Sequence, residues 1–202
     1  MISALESQKN SLQEVRIGFC AINEEFEVLK ICKNLETLRI LNCDQTVSKI
    51  LDHKVSNKIS TLEVICCQIY PQPIVLVLEK SGILLQRLIL ELNGDDSHEY
   101  TLLLEALKSS CPNIIYLDIS NIKFSTQLVE LISGLQKLQF LSLWRYNDGI
   151  QDEELKKQVI QFSEILPLTL QKLELDYSLM PYEDILLNHC NVPLKKSLVF
   201  FY

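Results

Sequence analysis

Residues 111–120 read CPNIIYLDIS and residues 32–41 read CKNLETLRIL. In each, a cysteine, one intervening residue and an asparagine stand directly ahead of an apolar residue and an alternating run. A metal ligand, a reactive thiol or structural punctuation would each account for one such cysteine. Its recurrence means that a repeated unit has to be sought before any site is proposed. Alternation of period two predicts strands with one buried face. Ile114, Leu117 and Ile119 would be buried in one copy, and Leu35, Leu38 and Ile40 in the other.

Working outward, the pattern apolar-x-x-apolar-x-apolar-x-x-(Asn/Cys) is the signature of a leucine-rich repeat. Leu12, Val15, Ile17 and Cys20 match it, as do Leu35, Leu38, Ile40 and Cys43. Ile59, Leu62, Val64 and Cys67 follow, then Leu85, Leu88, Leu90 and Asn93. Ile114, Leu117 and Ile119 continue, with Ile122 at the ninth place; Leu138, Leu141 and Leu143 have Tyr146 there, and Leu170, Leu173 and Leu175 have Ser178. Spacings run from 23 residues (Leu12 to Leu35) to 32 (Leu138 to Leu170). Seven ordered copies are hard to produce by chance.

Helical stretches are predicted between the strands. Asn23 suits a helix cap ahead of Phe26, Leu29 and Cys32. Tyr100, Leu103, Leu104 and Leu107 form a second stripe, and Leu128, Leu131 and Ile132 a third that ends at Gly134. Leu155, Val159 and Phe162 form another, and Ile185 and Leu186 follow Pro181, a residue suited to a first helical turn. Residues 46–53 and 72–80 predict shorter helices. One strand and one helix cannot bury their own apolar side, but stacked copies can. The predicted fold is therefore α/β: a leucine-rich-repeat solenoid, or horseshoe, of about seven repeats with a parallel inner sheet and outer helices. It forms a single domain over residues 1–202.

Cys32 and Cys111 fall where a helix ends, and so does Cys190. A small, weakly polar thiol fits such a buried corner. Pro112 stops the helix, and Asn34 and Asn113 suit the turn. The ninth-place cysteines (Cys20, Cys43, Cys67) together with the C-(P/K)-N-(I/L) opening resemble the cysteine-containing leucine-rich repeats of F-box/LRR proteins, relatives of the ribonuclease-inhibitor-like superfamily. The resemblance covers roughly residues 5–200. It implies a substrate-recognition region of a cullin-type ubiquitin ligase receptor, with the ligase adaptor as a partner only where a longer form carries an F-box. The first signature begins at Leu12, which leaves no room for an F-box in this sequence. Residues 2–10 look like the tail of an earlier helix, and PLKKSLVFFY like a strand cut off before its helix. The pattern thus predicts a domain truncated at both ends.

Composition narrows the function. Apolar residues make up 48% of 202, enough for a continuous core. A net charge of −7 disfavours nucleic acid and anionic membrane surfaces as partners. Glu6 interrupts the place of a signal-peptide apolar stretch, and no run reaches membrane-span length. The expected compartment is the cytoplasm or nucleus, where the seven cysteines stay reduced. No cofactor or metal site is expected. Cys66-Cys67 lacks a second metal-binding pair, and His189-Cys190 are helical neighbours that point in different directions. Asn93-Gly94-Asp95-Asp96 reads as a turn and helix cap. No catalytic constellation is assembled, so the chain reads as a non-enzyme.

Strand alternation places three columns on the open inner face. Tyr116, Phe140 and Trp144 are expected to cluster there with Arg145 nearby. Leu41, Ile65 and Ile89 would form an apolar stretch on three successive strands, with Arg16 and Arg39 in the column beside it. This aromatic and aliphatic composition is that of an interface core, so a protein target on the concave face is the expected partner. Two other readings stay open: a regulator of a small GTPase, which a GTP-hydrolysis assay would reveal, and a non-functional fragment of a longer repeat protein.

Overall fold

The computed structural model describes residues 7–18, 29, 31–43, 51, 58–67, 71–92, 97–145, 152–192, 194 and 197–201. Its framework is one parallel sheet whose strands lie in chain order. These are β1 (Glu14–Gly18), β2 (Thr37–Leu41), β3 (Thr61–Cys67), β4 (Arg87–Leu92), β5 (Tyr116–Ile122), β6 (Phe140–Arg145), β7 (Lys172–Asp176) and β8 (Ser197–Phe201). The seven signatures coincide with β1–β7. The eighth strand is the SLVFF of the C-terminal run, one more than the seven counted from the template.

The register follows from the apolar spacing. Fourth positions lie side by side across the sheet, from Val15↔Leu38 and Leu38↔Leu62 to Leu141↔Leu173. Sixth positions do the same, from Ile17↔Ile40 to Leu143↔Leu175. A one-residue slip would turn this whole apolar set outward, so burial fixes the register. Each strand also begins alike. The carbonyl of Gln13 accepts from the N–H groups of both Glu36 and Thr37, and Glu36, Ser60, Gln86, Ile115 and Gln139 repeat the arrangement toward the next strand.

Among the described residues, five helices fill gaps between strands: α1 (Pro71–Ser81), α2 (Ser97–Ser110), α3 (Thr126–Gly134), α4 (Asp152–Ile165) and α5 (Glu183–His189). Each packs against the next. The predicted stripes are the buried ones: Leu103, Leu104 and Leu107 in α2, Leu128, Leu131 and Ile132 in α3, and Leu155, Val159 and Phe162 in α4. The Ser125 hydroxyl caps α3 by accepting from the Leu128 N–H. The helix expected near residues 72–80 is a full one, burying Ile74, Val75, Val77 and Leu78. Pro181 departs from expectation. It lies inside a six-residue 3-10 helix, Tyr177–Tyr182, and α5 begins after it. The tighter winding is opened by the Asp176 side chain, which accepts from the Ser178 N–H.

The helices expected at 23–32 and 46–53 lie largely outside the described residues, as do Cys20, His53 and residues 93–96. Leu29, Cys32 and Leu51 from those stretches are buried. Fourth- and sixth-position side chains enter a single apolar core with the helices. Each fully buried Leu or Ile contributes roughly 1.5–3 kcal/mol relative to exposure. Among the described residues, the other sheet face is left open. Among the described residues, no helix is long and apolar enough to cross a membrane.

Candidate protein-binding face

Odd strand positions project from the open face, and neighbours there are set by the same register. The third-position column runs Glu14, Thr37, Thr61, Arg87, Tyr116, Phe140 and Lys172. Charge is organised along one side of it. Arg39 pairs with Glu14, and its Nε donates to Glu63 Oε2 at 2.9 Å. The Arg87 Nε donates to the other Glu63 oxygen at 2.8 Å. Glu63 is only 8% exposed, and two guanidinium groups compensate its burial.

The track continues as an aromatic surface. The Arg87 guanidinium lies 3.8 Å from the centre of the Tyr116 ring. Tyr116 stacks on Phe140 with centroids 5.7 Å apart and planes inclined by 28°. Cation–π contact and offset stacking each favour this geometry beyond area burial. Burial, reinforced by Asp118, pushes the Tyr116 phenol above its ordinary range, so it stays protonated. Beyond Phe140, Lys172 pairs with Glu174. Tyr116, Phe140, Ser142, Lys172 and Glu174 line a small hollow there.

Trp144 belongs to a second group. It faces the open side and is half-buried, as its place after Leu143 requires. Its ring stacks on Phe201 of β8, centroids 5.4 Å apart, rather than on Phe140. Its Nε1 donates to Ser142 Oγ at 3.1 Å. Ser142 in turn hydrogen-bonds Asp118. Beside Trp144 is a depression of about 390 Å3, walled by Ile65 and Ile89 and by the polar Glu91, Asp118, Ser120 and Asn121. Burial above all, with Glu174 and Glu91 adding repulsion, pushes the Asp118 carboxyl up to about 6, against the pull of Ser142 and Arg87.

The expected site residues therefore divide. Tyr116 and Phe140 come together; Trp144 is on the same face but joined to Phe201. Leu41 lies beside Ile65 in the register, while Ile89 lies beside Glu63. All three are half-buried. Arg39 is held between two carboxylates, whereas Arg16 is exposed and makes no ion pair among the described residues. Arg145 ends β6, and its side chain lies outside the described residues. Glu63, Arg87, Glu91, Asp118 and Phe201 were not singled out from sequence. The signal for Phe201 was present: SLVFF in register with KLELD puts Leu198 and Phe200 inward and Phe201 outward.

Cys32, Cys43, Cys67 and Cys111 sit in packing roles. Cys43 and Cys67 are buried, and their thiols donate to the Leu41 and Ile65 carbonyls at 3.4 and 3.3 Å. The Cys43 N–H donates to Cys67 Sγ at 3.5 Å, linking successive repeats. Burial pushes the Cys111 thiol up to about 12. The exposed Cys66 donates to Glu91 Oε2 at 3.1 Å, a contact that raises its pKa and disfavours the thiolate. His189 Nδ1 meets Glu164 at 3.3 Å, and Cys190 Sγ donates to the Val192 carbonyl at 3.8 Å, so the pair is not joined as nucleophile and base. Among the described residues, no cluster of His, Cys, Asp or Glu could hold a metal ion. No protein-family model matches the chain, and no curated protein matches it in sequence.

Proposed function

We propose that the chain is a leucine-rich-repeat solenoid that binds a protein through the open face of its sheet. In a longer form with an F-box, as the cysteine-containing repeats imply, that face would select targets for ubiquitination in the cytoplasm or nucleus. The observation that carries the binding reading is the pre-assembled track Arg39–Glu63–Arg87–Tyr116–Phe140. Its members are ordered by ion pairs, a cation–π contact and a ring stack before any partner arrives. Preorganised aromatic and arginine side chains are what binding hot spots are made of, because little rotamer entropy remains to be lost.

The test compares immobilised wild-type protein with the double variant Tyr116→Ala, Phe140→Ala and with the helix-face control Lys157→Ala. Proteins retained from a cell extract would be identified and their affinities measured. The double variant should lose about 2 kcal/mol or more of binding to a retained partner, while the control retains it and both keep the wild-type unfolding profile. A partner held equally by all three would place its binding surface elsewhere.

A further inference from the structure

We infer that the depression beside Trp144 receives a basic side chain, arginine or lysine, presented by the protein partner; the inference rests on the protein-binding reading of the open face. Three observations converge. The first is shape: the depression has about 390 Å3 of space, ample for a long side chain. The second is its wall. Ile65 and Ile89 offer apolar surface to a methylene stem, and the Trp144 indole offers a cation–π partner to the charged head.

The third is charge. Glu91 and Asp118 project from adjacent strands into the same depression, and among the described residues neither makes an ion pair. Three nearby cations of this face are paired elsewhere: Arg39 and Arg87 with Glu63, and Lys172 with Glu174. Glu91 Oε2 accepts from the backbone N–H and the thiol of Cys66, and no hydrogen-bond partner of Oε1 is found among the described residues. Two carboxylates left mutually repelling beside an aromatic wall are complementary to a cation and hostile to an anion.

Trp144 is the sole tryptophan of the chain and lines this depression, so its fluorescence under native conditions is a probe of occupancy there. The probes are the Nα-acetyl N-methylamides of arginine and lysine, with those of citrulline and norleucine as uncharged counterparts. A saturable fluorescence change is expected from the basic probes at concentrations on the order of millimolar, as suits one cation in a half-open site. The uncharged probes should bind roughly tenfold more weakly. Glu91→Gln and Asp118→Asn should each weaken the basic probes roughly fivefold, with melting curves confirming that both variants fold.

Binding should also fade as pH falls through about 6, where Asp118 gains its proton, and Asp118→Asn should flatten that dependence. Besides burial, the groups that set this titration are Ser142 on β6, Glu174 on β7, and Arg87 and Glu91 on β4. Equal response to citrulline and arginine, or no saturable response, would overturn the inference. So would a retained partner that binds Glu91→Gln and Asp118→Asn as tightly as wild type yet is lost by Tyr116→Ala, Phe140→Ala; the protein-binding reading would then stand without it. A partner insensitive to all four substitutions would remove both.

Discussion

Asn42, Cys66 and Asn121 share the eighth place of the repeat and a left-handed backbone, with φ of 52°, 52° and 60°. Each lies one residue before the inward ninth position, and the two register irregularities of the sheet fall at Cys66 and Asn121. At Cys66 and Asn121 the left-handed residue is thus part of a bulge that lets the strand turn away while the ninth residue, Cys67 or Ile122, still points into the core. Asparagine tolerates that conformation; cysteine does so less readily. Cys66 is held there by Glu91, which accepts from both its N–H and its thiol. Two substitutions that both delete the thiol isolate the backbone requirement. Cys66→Asn should leave stability close to wild type, while Cys66→Val, β-branched in a left-handed position, should lose about 1–2 kcal/mol. Urea unfolding decides; equal midpoints for the two variants would show that the backbone relaxes at no cost.

Between elements, the cysteine–x–asparagine opening proves to be a joint. Asn113 donates to the Ile83 carbonyl at 2.7 Å and accepts from Lys137 at 2.6 Å. Asn34 donates to the Asn10 carbonyl at 2.6 Å and accepts from Lys58 at 2.7 Å. Each asparagine therefore ties its own repeat to the one before and the one after. Cys111 completes the joint by packing against Gly82, where a Cβ would lie 2.7 Å from its sulfur and 2.6 Å from the Ser110 carbonyl oxygen. Gly82→Ala should thus force the turn after α1 away from the end of α2 and cost about 1–3 kcal/mol. Denaturant midpoints would measure it, and an unchanged midpoint would mean the joint has slack. The strands were legible because Leu38, Leu62, Leu88 and their equivalents repeat at a spacing that only a common register satisfies. The joint was legible as a turn but not as a clamp, because Ile83, Lys137 and Gly82 belong to no template position. On the open face, the alternation placed Tyr116, Phe140 and Trp144 correctly outward. It could not say which rings would touch, since that depends on side-chain reach across strands: Trp144 stacks on Phe201, two strands away, and leaves Phe140 to Tyr116.

At the scale of the whole molecule, every strand pairs only with its neighbours in sequence. Stability in such an arrangement is a sum of intrinsic and nearest-neighbour terms, which does not force unfolding to be all-or-none. Burial shows where those terms are weakest. Val15 in β1 and Leu198 and Phe200 in β8 are only half-buried, while Leu38, Leu62, Leu88 and Leu117, equivalent to Val15 and Leu198, and Ile40, Val64, Leu90 and Ile119, equivalent to Phe200, are 0% exposed. Hydrogen exchange should therefore be slowest at Leu62–Val64, Leu88–Leu90 and Leu117–Ile119, and should quicken toward β1 and β8. Protection equal in all eight strands would instead mean one cooperative unit and would contradict a repeat-wise account. The gradient bears on binding. The track from Arg39 to Phe140 is carried by β2–β6, so most of it rests on the strands expected to open last. A rigid support keeps Arg87, Tyr116 and Phe140 in place between encounters, and a partner then loses little entropy in ordering them. Trp144 is different: its stacking partner Phe201 stands on the edge strand β8, the strand expected to fray early. Opening of β8 would expose the indole while leaving the Tyr116–Phe140 stack intact. A red shift of the Trp144 emission at denaturant concentrations below those that release the central amides would show the two halves of the face uncoupling. A single coincident transition would show that β8 is bound into the central array.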